Sequence, residues 1–431
     1  EEKLGFELTG AQKRVIAECK KDMSTAVPMN RLIQGDVGSG KTAVAAACMY
    51  IAAKSGFQSA IMAPTEVLAA QHAATLERML APFGIKVGLL TGSMKQSEKN
   101  AVKFALKNGE ISVLAGTHAI IQEDVEFAKL GLIVTDEQHR FGVRQRLALS
   151  QKGGAPHTIV MSATPIPRTL AFVLYGDLDI SILDEMPKNR LGVKTYLVGQ
   201  DMEQRVFAFV RRFAKQGLQS YIVCPLVENE EDGLPLEAAA DLAKRIAEKE
   251  LSDCRIGLLH GRMRPAEKEQ VMRAFAENEI QVLVSTTVIE VGVDVPNAVC
   301  MVIENAERFG LSQLHQLRGR VGRGTEQSYC VLIAGKTSPE TKRRLEVVAK
   351  TSDGFRVAEE DLKLRGPGDF FGFRQSGVPM LKMADMMSDV ALLESAKNAA
   401  AELLESDPTL EKPENAVLAA RLEKLLREAA L

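Results

Sequence analysis

The chain has 431 residues, 46% hydrophobic and 26% charged, with a formal net charge of −2. That suits about three globular domains and excludes a surface coated in positive charge for nucleic acid, so any such binding must use local patches, backbone amides and helix N-termini. No apolar run approaches the ~20 residues of a membrane span, the N-terminal EEKLGFELTG is unlike a secretion signal, and six scattered cysteines without a C-x-x-C pair read as reduced thiols of a cytosolic protein.

Residues 1 to about 30 carry Phe6, then Leu8, Thr9 and Gln12, and a helical pattern through Val15, Ile16 and Cys19. The next stretch, GDVGSGKT (35–42), fits G-x-x-x-x-G-K-[ST] between an apolar run at 31–34 and a helical Ala-rich run from Ala43. That strand-loop-helix context is what a phosphate-binding loop requires. Gly35, Gly38 and Gly40 let the backbone curl with Ser39 so that N–H groups point inward, and the helix start adds partial positive charge. Lys41 can then reach the β- and γ-phosphates of a nucleoside triphosphate, while the Thr42 hydroxyl can hold Mg²⁺.

From 31 to about 185, apolar runs at 31–34, 59–63, 86–90, 111–115, 132–135 and 158–161 alternate with helical patterns, predicting a parallel sheet covered by helices. The run at 132–135 ends in Asp136 and Glu137. Ligands of an open parallel sheet sit beyond the carboxyl ends of its strands, so both acids belong beside the phosphate loop. There Asp136 suits Mg²⁺ and Glu137 can orient and activate the attacking water. An Asp-Glu pair alone is common and reads as an exposed turn; its position behind this strand gives it chemical meaning. Ser162 and Thr164 follow the run at 158–161, and singly they read as turn residues.

Pro187 to Gly192 looks like a linker, after which runs at 220–224, 255–259, 281–285, 298–303 and 328–333 predict a second α/β domain. No sequence repeat is visible between the two halves. The acidic segment 228–232 reads as a solvated loop. Gly292 and Asp294 lie in a turn after the run at 281–285. His315 to Gly324 (HQLRGRVGRG) is read as a helix with Arg320 and Arg323 on one face. Guanidinium groups brought to a γ-phosphate stabilise transition-state charge, although the stretch alone reads equally as a basic patch. Beyond about 335 come a helix at 341–350, a Gly/Phe-rich stretch from 354 to 379 expected to form turns, and two amphipathic helices after Ser388 and Pro413.

Taken in order, GSGKT, DEQH, SAT and Q-x-x-G-R-x-x-R over two tandem domains resemble the superfamily 2 helicases, and within them the RecG family of bacterial DNA helicases. The resemblance covers nearly the whole chain and rests on GDVGSGKT (35–42), APTEVLAAQH (63–72), GTHAI (116–120), DEQHRFG (136–142), SATPIPRT (162–169), LRGPGD (364–369) and FRQSG (373–377). It implies two RecA-like P-loop domains with parallel sheets at 1–190 and 191–338, and a C-terminal helical hairpin and translocation motif at 339–431. It implies ATP and Mg²⁺ as cofactors. Phe6 and Gln12 would recognise adenine, and Gly292 and Asp294 would touch both nucleotide and nucleic acid. Gln316, Arg320 and Arg323 would complete the ATP site from the second domain, and Ser162 and Thr164 would link hydrolysis to domain movement. Thr65, Thr117 and Thr286 would contact the nucleic-acid backbone, with Arg344, Arg365 and Gln375 carrying the translocation motif.

The partners so implied are duplex, forked or four-way DNA and a single-stranded-DNA-binding protein, for a monomer in the bacterial cytoplasm at the nucleoid, with no membrane contact. That family has a large N-terminal DNA-branch-binding domain, and this chain starts just before the Gln12 element, as a motor fragment or a relative without that domain would. The transcription-repair coupling translocases share the motor and the C-terminal motif but differ at DEQH and GSGKT. A nucleotide-gated binding module with little turnover and an RNA helicase are the other readings.

Overall fold

A computed structural model describes residues 6–136, 149, 152–163, 178–187, 191–225, 235–286, 295–370 and 390–429. The described residues divide into two compact units, one holding those up to Leu364 and the other those from Arg365.

The first unit contains two parallel sheets. Lobe one opens with α1 (Gly10–Asp22), whose start is fixed by a capping box: Thr9 Oγ1 accepts the Gln12 amide, and Gln12 Oε1 accepts the Thr9 amide. The two contacts satisfy donors that a helix start leaves open. Strands β1 (Asn30–Gly35), β2 (Gln58–Met62), β3 (Val87–Leu90), β4 (Val113–Gly116), β5 (Leu130–Asp136), β6 (His157–Ser162) and β7 (Asp179–Leu183) form a sheet ordered β3-β4-β2-β5-β6-β1-β7. Its inner strands are almost wholly buried because α2 (Lys41–Lys54), α3 (Glu66–Leu80) and α4 (Gln96–Lys107) cover it, and a parallel sheet is stable only when covered. Leu32, Ile33, Ile61 and Val134 are at most 1% exposed, each contributing about 1.5–3 kcal/mol through burial.

Lobe two is built from β8 (Lys194–Gly199), α5 (Glu203–Lys215), β9 (Gln219–Val223), α6 (Pro235–Glu248), β10 (Ile256–Leu259), α7 (Pro265–Ala276), β11 (Val282–Ser285), β12 (Ala298–Ile303), α8 (Leu311–Arg318) and β13 (Tyr329–Ala334), with the sheet ordered β10-β11-β9-β12-β13-β8. Two further helices, α9 (Pro339–Lys350) and α10 (Gly354–Phe370), follow. Leu345, Val348 and Val357 lie in the same buried cluster as Tyr221, Met301 and Leu332 of this sheet.

Strand for strand, β8 to β13 repeat β1 to β6 in order and direction. With the strands aligned, a repeat not visible in the sequence alone becomes readable: Gln58-Ser59 with Pro64 answers Gln219-Ser220 with Pro225, and Gly88, Gly92, Met94, Glu98 and Lys99 answer Gly257, Gly261, Met263, Glu267 and Lys268. The matched residues do the same work. Gln58 Nε2 donates to the carbonyls of Leu106 (2.8 Å) and Ile111 (2.7 Å), and Gln219 Nε2 to those of Phe275 (2.5 Å) and Ile280 (2.6 Å). Lys99 Nζ caps the Gly92 carbonyl at 2.6 Å and Lys268 Nζ the Gly261 carbonyl at 2.7 Å.

Two expectations change. The helix carrying the second-lobe arginines, α8, ends at Arg318, and Arg320 and Arg323 lie on the turn after it, because Gly319 caps the helix and Gly322 takes φ +80°. The stretch from Gly354, expected as turns, is helical to Phe370. Asp353 starts it, its Oδ1 accepting the Phe355 amide at 2.9 Å, and Val357, Ala358 and Leu362 are buried. The acidic segment 228–232 and residues 188–190 of the linker lie outside the described residues.

In the second unit, α11 (Val390–Ser406) and α12 (Ala416–Ala429) are joined by a turn organised on Asp407, which accepts the amides of Glu411 and Lys412 and, at 2.7 Å, Asn415 Nδ2. These bonds, the Asn415 one foremost, hold the Asp407 carboxyl below its usual range. Among the described residues, no helix is long and apolar enough to cross a membrane.

Candidate active site

The loop after β1 curls at Gly38 (φ +83°) and Gly40 (φ +85°), a conformation that favours glycine. Gly40 N-caps α2 without any side-chain cap, and the first turn of that helix holds no acid. A helix start of this kind, uncapped and without an acid, suits an anion. Ser39 is buried with its Oγ unpartnered. A Cβ on Gly35 would lie 2.7 Å from that oxygen, and one on Gly40 would lie 2.2 Å from Gln12 Nε2. This uncapped cradle, with an orphaned hydroxyl and a lysine at its mouth, fits the phosphates of a nucleotide. Lys41 Nζ donates to the carbonyls of Gly35 (2.7 Å) and Asp36 (3.0 Å). Thr42 follows it, half-buried, in the first turn of α2.

Gln12 is 2% exposed. Its Nε2 donates to the Ser39 carbonyl at 2.8 Å, so the amide that caps α1 also bolts that helix to the loop. Phe6 lies before it at a bend, 40% exposed.

Asp136 is the last residue of β5, two strands from β1 across β6, which sets the two strand ends about 10 Å apart. Its Oδ2 lies 2.8 Å from Nε2 of the buried His72 on α3, a contact that fixes the carboxylate's direction. Ser162 ends β6 beside Gln34 of β1. Glu137, Thr164, Gly292, Asp294 and Gln375 lie outside the described residues.

Lobe two meets the loop through α8 and the turn after it. A Cβ on Gly319 would stand 2.9 Å from Cβ of Val37, so this glycine permits the close approach. His315 Nε2 lies 2.7 Å from Asp36 Oδ1, and the Gly354 amide donates to Asp36 Oδ2 at 3.0 Å. Burial pushes the Asp36 carboxyl up, but the bonds from His315 and Gly354 and the nearby Lys41 ammonium outweigh it, leaving the group below its usual range. Gln316, Arg320 and Arg323 are half-buried on this same segment, and Arg323 Nε reaches the Gly319 carbonyl at 3.5 Å. The structure thus brings Lys41, Asp36 and the Arg320–Arg323 turn to one seam. The sequence alone gives His315 and Arg318 no role, since their partners lie in the other lobe or some thirty residues on, at the end of α9.

The residues expected at nucleic acid are placed as follows. Thr65 caps α3, its Oγ1 accepting the Leu68 amide at 3.4 Å. Thr117 and Thr286 follow β4 and β11, are counterparts in the two sheets, and are both 2% exposed with Oγ1 unpartnered. Arg344 Nη2 donates to the carbonyls of Glu307 (2.6 Å) and Phe309 (3.3 Å), holding a turn of lobe two. Arg365 lies in α10.

Family models match three stretches: DEAD/DEAH box helicase at residues 9–173, helicase conserved C-terminal domain at 179–325, and ATP-dependent DNA helicase RecG, domain 3, C-terminal, at 351–430. The chain is 52% identical over 421 residues to the ATP-dependent DNA helicase RecG of Bacillus subtilis, covering 98% of this chain and 62% of that relative. With the RecG of Thermotoga maritima it is 50% identical over 400 residues, 93% of this chain and 51% of the other. A solved RecG bound to a three-way DNA junction matches with TM-score 0.79 and 48% identity, over 91% of this chain and 51% of that one. The DUF1998 helicase MrfA bound to DNA, 21% identical with TM-score 0.57 over 80% of this chain, shares the fold. The chain thus spans about half to three-fifths of the length of the relatives it matches.

Proposed function

We propose that this chain, which belongs to the RecG family of ATP-dependent DNA helicases, hydrolyses ATP at the seam of its two lobes and uses the cycle to move on duplex or branched DNA. The observation that carries this reading is the seating of the phosphate-binding loop against the arginine-bearing turn of lobe two, with Val37 on Gly319 and Asp36 on His315. Lys41 would leave its two carbonyls for the β- and γ-phosphates, and the first-turn amides of α2 would bind the phosphate oxygens. Thr42 and Asp136 would hold Mg²⁺, which neutralises phosphate charge when bound. His72 keeps the Asp136 carboxylate aimed, and Glu137 would orient the attacking water. Arg320 and Arg323, with Gln316, would meet the γ-phosphate from lobe two, so that the bound nucleotide favours the closed pair of lobes by its differential contacts.

Thr65, Thr117 and Thr286 lie beyond carboxyl ends of strands in both lobes, where a DNA backbone would track the two sheets together. The DNA substrate, a single-stranded-DNA-binding protein as partner, the monomeric state, the cytoplasmic, nucleoid-associated location and division into domains at 1–190, 191–338 and 339–431 belong to the same proposal. The decisive experiment is ATP hydrolysis with no DNA and with single-stranded, duplex, forked and four-way DNA. Stimulation that is strongest on branched DNA is expected. Hydrolysis indifferent to every DNA would leave a nucleotide-gated module, and stimulation by duplex alone would favour a translocase of the transcription-repair coupling type.

A further inference from the structure

His315 and Arg318 have no part in the reaction just described, yet both are buried, 4% and 5% exposed. They form an unbroken chain of hydrogen bonds from the phosphate-binding loop to the end of α9 in lobe two. Arg318 Nη1 donates to the carbonyls of Val348 (2.7 Å) and Thr351 (2.6 Å) at the end of α9. Its Nη2 stands 2.7 Å from His315 Nδ1. A guanidinium has donors only, so Nδ1 accepts and the neutral ring carries its proton on Nε2. Nε2–H then donates to Asp36 Oδ1 at 2.7 Å, across 279 positions of sequence. The other Asp36 oxygen accepts the Gly354 amide that opens α10, and the Asp36 backbone carbonyl accepts Lys41 Nζ at 3.0 Å. One residue therefore holds the phosphate-binding lysine by its backbone and is itself held by lobe two through its side chain.

Resting on the reading of this loop as the nucleotide site, we propose that Arg318, His315 and Asp36 form a latch with which lobe two keeps Lys41 on the loop carbonyls, making His315 a positioning residue that opposes nucleotide entry until the latch opens. Lys41 cannot serve the Gly35 and Asp36 carbonyls and a β-phosphate at once. While the Asp36 carboxylate is pinned by His315 and Gly354, its peptide is fixed where it accepts the lysine. A ligand that binds only the open form is weakened by the fraction of molecules that are open, so a latch closed about ten to one costs about tenfold in affinity. The coupling is reciprocal: bound nucleotide disfavours the Asp36–His315 bond in particular, even as the arginine turn closes on the γ-phosphate, and movement that breaks that bond readies the loop.

The test is equilibrium binding of N-methylanthraniloyl-ADP, without DNA, to the whole chain and its variants. His315→Leu removes the donor and is expected to bind about tenfold tighter. His315→Gln offers an N–H to Asp36 and a carbonyl to Arg318, and is expected to match the parent. Asp36→Ala should tighten binding as His315→Leu does, and combining the two should add nothing further. A merely structural role predicts weaker binding in every variant with no rescue by glutamine. Binding that is unchanged or weaker in a folded His315→Leu, or gains that add independently, overturns the latch. Should His315→Leu not fold, Asp36→Ala decides alone, tighter binding supporting the latch and unchanged or weaker binding overturning it. A parent that binds no nucleotide would fail the reading of the site itself and the latch with it.

Discussion

Lobe one and lobe two repeat six strands in the same order, down to the glutamine that ties the second strand to the neighbouring turns and the lysine that caps a glycine carbonyl. They part company at the ends of two strands. After β1, lobe one has the glycine-built phosphate loop; after β8, lobe two has Gly199, Gln200, Asp201 and Met202 leading straight into α5. In register, Asp136 at the end of β5 answers Glu304 after β12. Asp136 is aimed by His72, whereas Glu304 is 8% exposed with Oε1 unpartnered, lining a cavity of about 650 Å³ with Gln200, Glu203 and Arg245. The repeated sheet is a platform, and on the proposed function its strand-end loops would decide which copy binds nucleotide and which supplies arginines to it.

The sharpest way to break this contrast is to alter the two loops. Lys41→Ala is expected to lower ATP turnover by at least roughly 10²–10³-fold, because on the proposed function it removes a donor that would meet developing charge. Gln200→Ala, in the corresponding loop of lobe two, should leave turnover within about twofold, since an exposed side chain away from the seam is removed. Equal losses in steady-state assays would mean that both lobes bind nucleotide.

The strand-end acids offer a pH comparison. Burial, with Glu203 nearby and Arg245 opposing, pushes the Glu304 carboxyl up to about 7. Its folded-state pKa lies above the unfolded value, so the stability it contributes is present below about 4.5 and is lost as pH rises through about 7. The loss amounts to about 3 kcal/mol at most. Thermal unfolding should therefore fall between pH 5 and pH 8 in the parent relative to Glu304→Gln, which keeps the shape and cannot ionise. Parallel pH profiles for the two would contradict a buried, shifted Glu304.

The smallest effect tests the repeat itself. Gln58→Ala and Gln219→Ala each leave two turn carbonyls without their donor, at a cost of about 1–3 kcal/mol. Urea unfolding should show similar losses for the two, additive in the double variant because the sites lie in different sheets. A large cost in one lobe and none in the other would show that the shared geometry no longer does the same work.

What the sequence revealed follows from how local each signal is. The phosphate loop is a contiguous motif whose glycines and lysine carry their own geometry, and the buried central strands read as apolar runs. The two strands that the sequence reading lacks, β7 and β8, are both sheet edges with half-exposed, alternating residues, so neither reads as the continuous apolar run of a buried parallel strand. Gly319 and Gly322 end α8 before Arg320, so the helix expected for both arginines does not form. The Asp36–His315 bond joins residues 279 positions apart, and no local pattern announces such a pair. The repeat was hidden because only the fold says which short stretches to align.

The most direct test of a site shared by both lobes is the binding of ADP with aluminium fluoride, an analogue of the phosphoryl-transfer transition state, to the parent and to Arg320→Ala with Arg323→Ala. The account predicts ADP affinity within a few-fold of the parent and analogue affinity reduced by about 10³ or more, since arginines brought to the γ-position act on transition-state charge. Equal analogue binding by parent and variant would contradict it, leaving lobe two with no hand in the chemistry.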